Sequence, residues 1–343
     1  MRRLEAGARL GLAGWAMVIT MARTVRYPND FAEAHRLLDY RFGFIKRGLA
    51  GSALTLVTWT GLARPTADTV AALSFAVFGL LAIALLAITA RLLNTDGRHS
   101  TSFAAAAVFA TSPFVVMTAR VMGYMDHLVL LAAFGAAWLA LRGRAWPAGV
   151  IAALGVLVHE SFLLVGFPLV LLASHLGPAR PRGPASRFLP FLLPLAAAGA
   201  LGMAEVLVLD PATLRQQLVA RLTAFPFVER DISIFRPEWL TTSALSNLRS
   251  QAHAFWRHLA DVNLLRLMLP PSAFIILVAS ASAPSGARAR RAILANILGH
   301  SPLMDGEVER FSAAMRLFLY APFIAGAALT IGEGIRGPRA GPS

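Results

Sequence analysis

Apolar residues run through this chain in blocks separated by short polar joints. The blocks lie at about 9–24, 67–91, 101–119, 126–141, 146–175, 188–209, 265–282 and 311–331. Several approach or exceed the ~20 residues that a helix needs to cross a bilayer. The pattern predicts an all-α fold, a polytopic transmembrane helical bundle of about 8–10 membrane segments, forming one integral membrane domain over 1–343. The block 146–175 is too long for a single span and carries His159-Glu160 in its middle. A charge at the bilayer centre costs ~2.5–3.5 kcal/mol on insertion scales. Two short helices meeting at that dipeptide, a broken-helix hairpin, are therefore expected near 146–175. An amphipathic stretch near 48–63 predicts a helix lying in the interface.

Composition sharpens this picture. Hydrophobic residues make up 57% of the 343, and mean hydropathy is +0.62. Lys and Arg outnumber Asp and Glu by 32 to 18, a formal charge of +14. In a soluble protein that excess would suggest nucleic acid. Here the arginines sit in short loops between apolar blocks, as the positive-inside rule requires, and no basic face alternates with aromatic stacking residues. No nucleic-acid partner is expected. With the hairpin in place, Arg2, Arg3 and Arg9, then Arg91 and Arg98, Arg142 and Arg144, Arg180, Arg182 and Arg187, and Arg288, Arg290 and Arg291 all fall on one side. Met1-Arg-Arg followed by an apolar run to about Ala22 has the front of a signal peptide, but Met21-Ala-Arg-Thr is a poor cleavage site. A retained signal anchor with a cytoplasmic N-terminus follows. The abundance of Ala, Arg and Gly resembles a GC-rich bacterial genome, which implies a multi-pass protein of the bacterial inner membrane. Zero cysteines exclude disulfides, thiolate metal sites and cysteine nucleophiles.

The opposite face receives outer loop 1 at 23–66, the Arg120-to-His127 turn, the His159-Glu160 tip, the helix end carrying Glu205, and a long outer loop at 210–264. That last loop is too long for a mere connector. Its aromatics, in Phe225-Pro-Phe, Phe235-Arg-Pro-Glu-Trp239 and Phe255-Trp256, suit the headgroup layer. The short segment 288–300 is expected to rise as a broken helix, carrying Asp305, Glu309 and Arg310 outward and returning Arg336 and Arg339 inward. No internal repeat is evident.

Ionisable residues in an apolar chain need a reason. In Asp39-Tyr-Arg-Phe-Gly-Phe-Ile-Lys-Arg-Gly48, one acid lies within a turn or two of Arg41, Lys46 and Arg47. Such a basic run on the outer side violates the charge rule, and anionic phosphate, which Arg grips with a two-toothed fork, is the natural compensator. A basic interfacial helix resting on lipid headgroups is the plainer alternative. Asp126 opens a helix and is accounted for by capping or by function; capping does not account for His127. His159-Glu160, flanked by apolar residues, must face a polar cavity or a partner. Glu205, near a helix end, reads as snorkelling or paired. Candidate catalytic groups are therefore Asp39, Asp126, His159 and Glu160, and candidate binding groups are Asp30, Arg41, Lys46, Arg47, Arg120 and His127. Two histidines with several carboxylates would suit a divalent metal, although no HExxH is present and no ligand set can be assigned. No GxSxG or Walker motif occurs.

With a retained first helix, Asp39 (or Asp30) in the first outer loop, an interfacial helix after it, and Asp126 of Gly-Tyr-Met-Asp-His-Leu opening a later helix, the chain resembles the GT-C superfamily of membrane glycosyltransferases over about residues 1–180. It departs from them in lacking a paired-acid motif. The resemblance implies transfer of a sugar from a polyprenyl-phosphate-linked donor on the outer side of the membrane, with membrane lipid and lipid-linked sugar as partners. An acid would then act as general base toward an acceptor hydroxyl, while Arg41, Lys46, Arg47 or Arg120 would hold the departing phosphate. A transporter or flippase of an anionic lipid or glycan, and a non-catalytic membrane subunit, are the alternatives. An enzyme or transporter further requires Asp39, Asp126 and His159-Glu160 to converge on one cavity.

Overall fold

The computed structural model describes residues 2–45, 47–62, 64–94, 106, 109–110, 113–176, 184–207 and 211–228. Among the described residues every regular element is helical. The α-helices are α1 (Arg2–Thr24), α2 (Asp30–Leu37), α3 (Gly48–Trp59), α4 (Ala67–Asn94), α5 (Pro113–Arg120), α6 (Asp126–Leu141), α7 (Ala145–Val158), α8 (Phe162–Leu176), α9 (Pro184–Leu207) and α10 (Pro211–Thr223). A single 3-10 turn, Tyr40–Phe42, lies between α2 and α3. The all-α expectation is met. Lys46, the expected spans at 265–282 and 311–331, the rising segment 288–300, and Asp305, Glu309, Arg310, Arg336 and Arg339 lie outside the described residues.

The main apolar core joins α1, α4, α5, α6, α7 and α8, through Met17, Leu81, Phe114, Leu130, Val156 and Val170, each at most 1% exposed. Small residues let these helices come close. Ala133 and Ala136 on α6 and Ala148 and Ala152 on α7 are fully buried, and α9 packs along α7. The block 146–175 is indeed broken, with α7 ending at Val158 and α8 starting at Phe162. Phe162 closes the hairpin by filling the space in front of two glycines. A Cβ on Gly155 or Gly166 would meet its ring at 2.3 Å or 2.4 Å.

The segment expected as outer loop 1 is far more ordered than a connector. α2 is capped by Asn29, whose side chain accepts from the Ala32 backbone N–H at 3.0 Å, an Asx cap that satisfies one exposed donor. From Ala32 to Asp39 every residue is buried, including Glu33, His35 and Arg36. α3 then folds back on α2 with almost no gap, since a Cβ on Gly51 would fall 1.8 Å from the Leu38 carbonyl oxygen. The expected long loop from 210 also begins as structure. α10 buries Leu214, Leu218 and Leu222, spaced i, i+4, i+8, against Leu37, Leu38, Ile45 and Leu54 in a second apolar core. The continuation 229–264 lies outside the described residues.

Among the described residues one helix is long and apolar enough to cross a bilayer, α4 over Ala67–Ala90, with a mean hydropathy of 2.6. α6, α7 and α8 have 16, 14 and 15 residues. At 1.5 Å per residue they are about 24, 21 and 22 Å long, short of a ~30 Å hydrocarbon core. Large apolar side chains nevertheless face outward around the bundle: Trp15, Leu80, Ile83, Leu154, Leu192 and Met203, and at the end of α3 Trp59 at 83% and Leu62 at 80% exposure.

The α2–α3 approach can be tested by stability. Gly51→Ala places a methyl group where the Leu38 carbonyl already stands, and should cost about 2 kcal/mol or more. Gly79→Ala, with nothing within 4 Å of the added Cβ, should gain up to about 1 kcal/mol from helix propensity. Thermal unfolding of the purified protein in detergent compares the two. Equal melting temperatures would show that α2 and α3 do not touch as described.

Candidate functional site

Three segments far apart in sequence meet at one end of the bundle: the α2-to-α3 region, the Gly123 turn between α5 and α6, and the His159-Glu160 tip. α2 is the common floor. Gly123 has φ +86, a left-handed backbone that favours glycine, and any Cβ there would lie 3.0 Å from the Ala32 side chain. Asn29 donates to the Tyr124 hydroxyl at 3.3 Å. The tip is held by charge.

Asp39 caps the 3-10 turn and is 1% exposed. Its Oδ1 accepts from the Arg41 backbone N–H and from Arg41 Nε, both at 2.9 Å. Its Oδ2 accepts from Arg41 Nη2 at 2.6 Å and from Thr55 Oγ1 at 2.7 Å. Burial pushes this carboxyl upward, but the hydrogen bonds from Arg41 and Thr55 outweigh it and hold Asp39 below the usual carboxylate range. Ser52, one turn before Thr55 on α3, accepts from the Tyr40 N–H at 3.1 Å. Asp39, Tyr40, Arg41, Ser52 and Thr55 line a recess of about 220 Å³. The Arg41 side chain stands 56% exposed at its mouth. The Tyr40 hydroxyl is buried without a partner, and burial pushes it up to about 12.

The second cluster joins Arg47 to the hairpin tip. Arg47 Nη2 donates to Glu160 Oε1 at 2.6 Å and Nε to Oε2 at 3.3 Å. On its other side Nη1 lies 3.0 Å from His35 Nε2. His159 Nδ1 sits 3.6 Å from Glu160 Oε2 and accepts from the Ser161 N–H at 3.0 Å. Burial works against the Glu160 charge, but Arg47 and then His159 prevail and drive its carboxyl far below the usual range. Arg47 holds this position from a left-handed backbone, φ 63, at the start of α3.

The remaining candidates are placed as follows. Asp126 is half-buried at the head of α6. His127 is fully buried, with Nε2 2.6 Å from the Thr118 carbonyl and its ring 5.5 Å from Phe78, so it bolts α6 to α5. Arg120 is half-buried at the end of α5. Asp30 begins α2, and Glu205 lies in α9. Thus Asp39 meets Arg41, and Glu160 meets Arg47 and His159, with His35 on the far side of Arg47. The expected convergence of Asp39, Asp126 and His159-Glu160 is not met in this recess, whose lining includes Asp39 and Arg41 but not Asp126, His159 or Glu160, because Glu160 is drawn to Arg47 instead; any chemistry in the recess rests on Asp39 as its one acid. Among the described residues no three His, Asp or Glu side chains gather as a metal cage.

Several residues of the site carry no signal strong enough to be chosen from sequence. Ser52 and Thr55 form the i, i+3 face of α3 that meets Asp39. His35 and Arg36 are buried on α2; Arg36 Nε and Nη2 have no hydrogen-bond partner, and burial lowers this guanidinium to about 10. Arg221, on α10, stacks over the Phe225 ring at 4.5 Å and lies within electrostatic reach of Arg41 and Asp39.

Breaking the Arg47–Glu160 pair from one side should cost about 3 kcal/mol, because the surviving charge is left half-buried and alone. The pair's contribution is fully present above the ordinary carboxylate range and is lost as pH falls through the depressed Glu160 value. The stability gap between wild type and Glu160→Gln should therefore hold from about pH 8 to pH 5 and shrink below about pH 4. Chemical denaturation across that range measures it. A gap that widened on acidification would contradict the pairing.

No family model, curated protein sequence or solved structure matches this chain.

Proposed function

We propose that the chain is a polytopic membrane glycosyltransferase of GT-C type, which moves a sugar from a polyprenyl-phosphate donor to an acceptor hydroxyl at the outer face of a bacterial inner membrane. The single observation that carries this reading is the recess. There a buried, ionised carboxylate is locked to a guanidinium that stands half in solvent, next to an α3 surface of exposed apolar residues. Those apolar faces, with Trp15, Leu80, Ile83 and Leu192 around the bundle, suit lipid contact better than water.

In this reading the recess works by exchange of partners. As it stands, Asp39 accepts five hydrogen bonds and is a weak base. A phosphate drawn to Arg41 competes for the same fork, and each bond that Arg41 transfers to phosphate returns basicity to Asp39. The acceptor hydroxyl oxygen then attacks the anomeric carbon, its proton passes to the carboxylate, and the bond from that carbon to the phosphate oxygen breaks. The polyprenyl phosphate leaves with the electron pair, and the guanidinium stabilises its charge. Arg47 and Glu160 take no part in this step; they fix α3 and the hairpin tip around it.

Reconstitution in proteoliposomes with polyprenyl-phosphate-linked sugars tests the proposal. Sugar-dependent release of polyprenyl phosphate is expected from the wild type. Asp39→Asn should slow it about 100-fold or more, the scale of a lost general base, and should also lower the melting temperature by breaking the buried pair with Arg41, so turnover is compared below the melting transition of the variant. Movement of the intact donor between leaflets without cleavage would replace the transferase by a flippase. Equal turnover by Asp39→Asn would remove Asp39 from the chemistry.

A further inference from the structure

The corner between α6 and α7 stands at the far end of these helices from the recess. α6 runs away from the Gly123 turn to Leu141, and α7 runs back from Ala145 to the His159-Glu160 tip. The Arg144 N–H donates to the Leu139 carbonyl at 2.9 Å and the Gly143 N–H to the Ala140 carbonyl at 2.8 Å. Gly143 takes the left-handed backbone, φ 69, that this pair of bonds requires. The joint is a Schellman turn, which satisfies the last carbonyls of α6 and holds the residues on either side of it in place. Those residues are Arg142 and Arg144, both exposed, with Trp138 at 40% and Trp146 at 58% exposure.

Helix stability accounts for only part of this. A cation at the end of α6 answers the helix dipole, which covers Arg142. Arg144 is the N-cap of α7, makes no side-chain cap there, and sets a positive charge against the positive end of that helix. The Arg142 guanidinium lies over the Trp138 ring, 4.2 Å from its centroid, a cation–π contact that puts charge and apolar ring side by side. From His127 through His159 the chain has no Asp or Glu, and among the described residues no carboxylate pairs with either arginine. Arg presents a fork that matches phosphate, and Trp, with an apolar body and one N–H, suits the layer where acyl chains meet headgroups. A free anion would meet the arginines and leave the rings in water. A phospholipid phosphate lies in a plane just outside an apolar layer and answers both.

We infer that the α6–α7 corner is an anchor for anionic phospholipid in the leaflet opposite the recess, with Arg142 and Arg144 on the headgroup phosphates and Trp138 and Trp146 at the acyl boundary. This goes beyond sugar transfer and rests on that reading only for the membrane itself. An anchor at this end of α6 and α7 fixes the level at which their other ends, with Asp126 and the Glu160 tip, stand in the bilayer.

The test uses full-length protein in mixed bilayers of phosphatidylcholine and phosphatidylglycerol, with one lipid or the other brominated to quench tryptophan. Comparison with Trp146→Phe isolates the quenching at Trp146 and so measures which lipid sits at the corner. Phosphatidylglycerol should be preferred there about fivefold for each arginine, the scale of a basic residue at an anionic surface. Arg142→Gln combined with Arg144→Gln should abolish the preference, and the corresponding pair of Lys substitutions should keep most of it. Arg64→Gln, at an exposed position beyond α3, should leave it unchanged. In the wild type the preference should shrink as salt rises from about 0.05 M to about 0.5 M, a readout that needs no variant to fold. Equal quenching by the two lipids at low salt, or a preference that survives the Gln pair, would overturn the anchor. If neither lipid quenches any tryptophan, the chain is not in the bilayer and the membrane reading falls with it. A preference that stands while no sugar is transferred keeps the anchor and removes the transferase.

Discussion

The Arg47–Glu160 ion pair is the interaction on which the rest of this end of the bundle depends. Glu160 sits at a helix break among apolar residues, where an unpaired carboxylate would be costly. Arg47 meets it with both arms of its fork, and to do so it adopts a left-handed backbone that costs roughly 1–2 kcal/mol in a non-glycine residue. A strained residue persists only where its surroundings over-determine it, and here Glu160 on one side and His35 on the other do so. The strain also sets the direction of α3. From Arg47 the helix turns back over α2 rather than running on toward the bundle.

That direction would be useless without small residues to receive it. Gly51 lets α3 lie directly on the Leu38 carbonyl, and only at that range can Thr55 reach Asp39 and Ser52 reach the Tyr40 N–H. The Asp39 carboxylate is then saturated, Arg41 is fixed at the mouth of the recess, and the polar chemistry of the α2-to-α3 region is decided by one missing side chain. The hairpin uses the same device. Gly155 and Gly166 make room for Phe162, which holds the α7–α8 corner closed and presents Glu160 to Arg47. Charge draws these segments together, and glycine determines how near they come.

Much of the bundle is legible in the sequence because its signal is continuous. The run 126–141 is α6 to the residue, and the break at His159-Glu160 is visible because a charged dipeptide is too costly to carry through the middle of an unbroken apolar span. α2 is hidden for the opposite reason. Its eight residues carry Asp, Glu, His and Arg and read as a solvated loop, yet α3, α10 and the Gly123 turn bury it from Ala32 onward. Burial of that kind is a tertiary fact with no local periodicity. Arg221 is invisible in the same way, because its place depends on where α10 docks. Asp39, Arg41, Arg47 and Glu160 could be chosen from residue type and apolar surroundings; that they divide into two clusters rather than one depends on side-chain pairings that no spacing encodes.

The distance along the chain between the two members of that ion pair has a consequence for synthesis. Arg47 precedes Glu160 by 113 residues, which a ribosome takes roughly 6–20 s to add. Throughout that interval the first segments are complete in sequence but not in charge. Arg47 has no carboxylate to answer it, and α3 has nothing to hold its strained start. α10, which covers the other side of α2, emerges later still. The start of α3 therefore waits for its counter-charge until the hairpin tip arrives, whereas the recess, lined by residues between 39 and 55 alone, is complete in sequence long before.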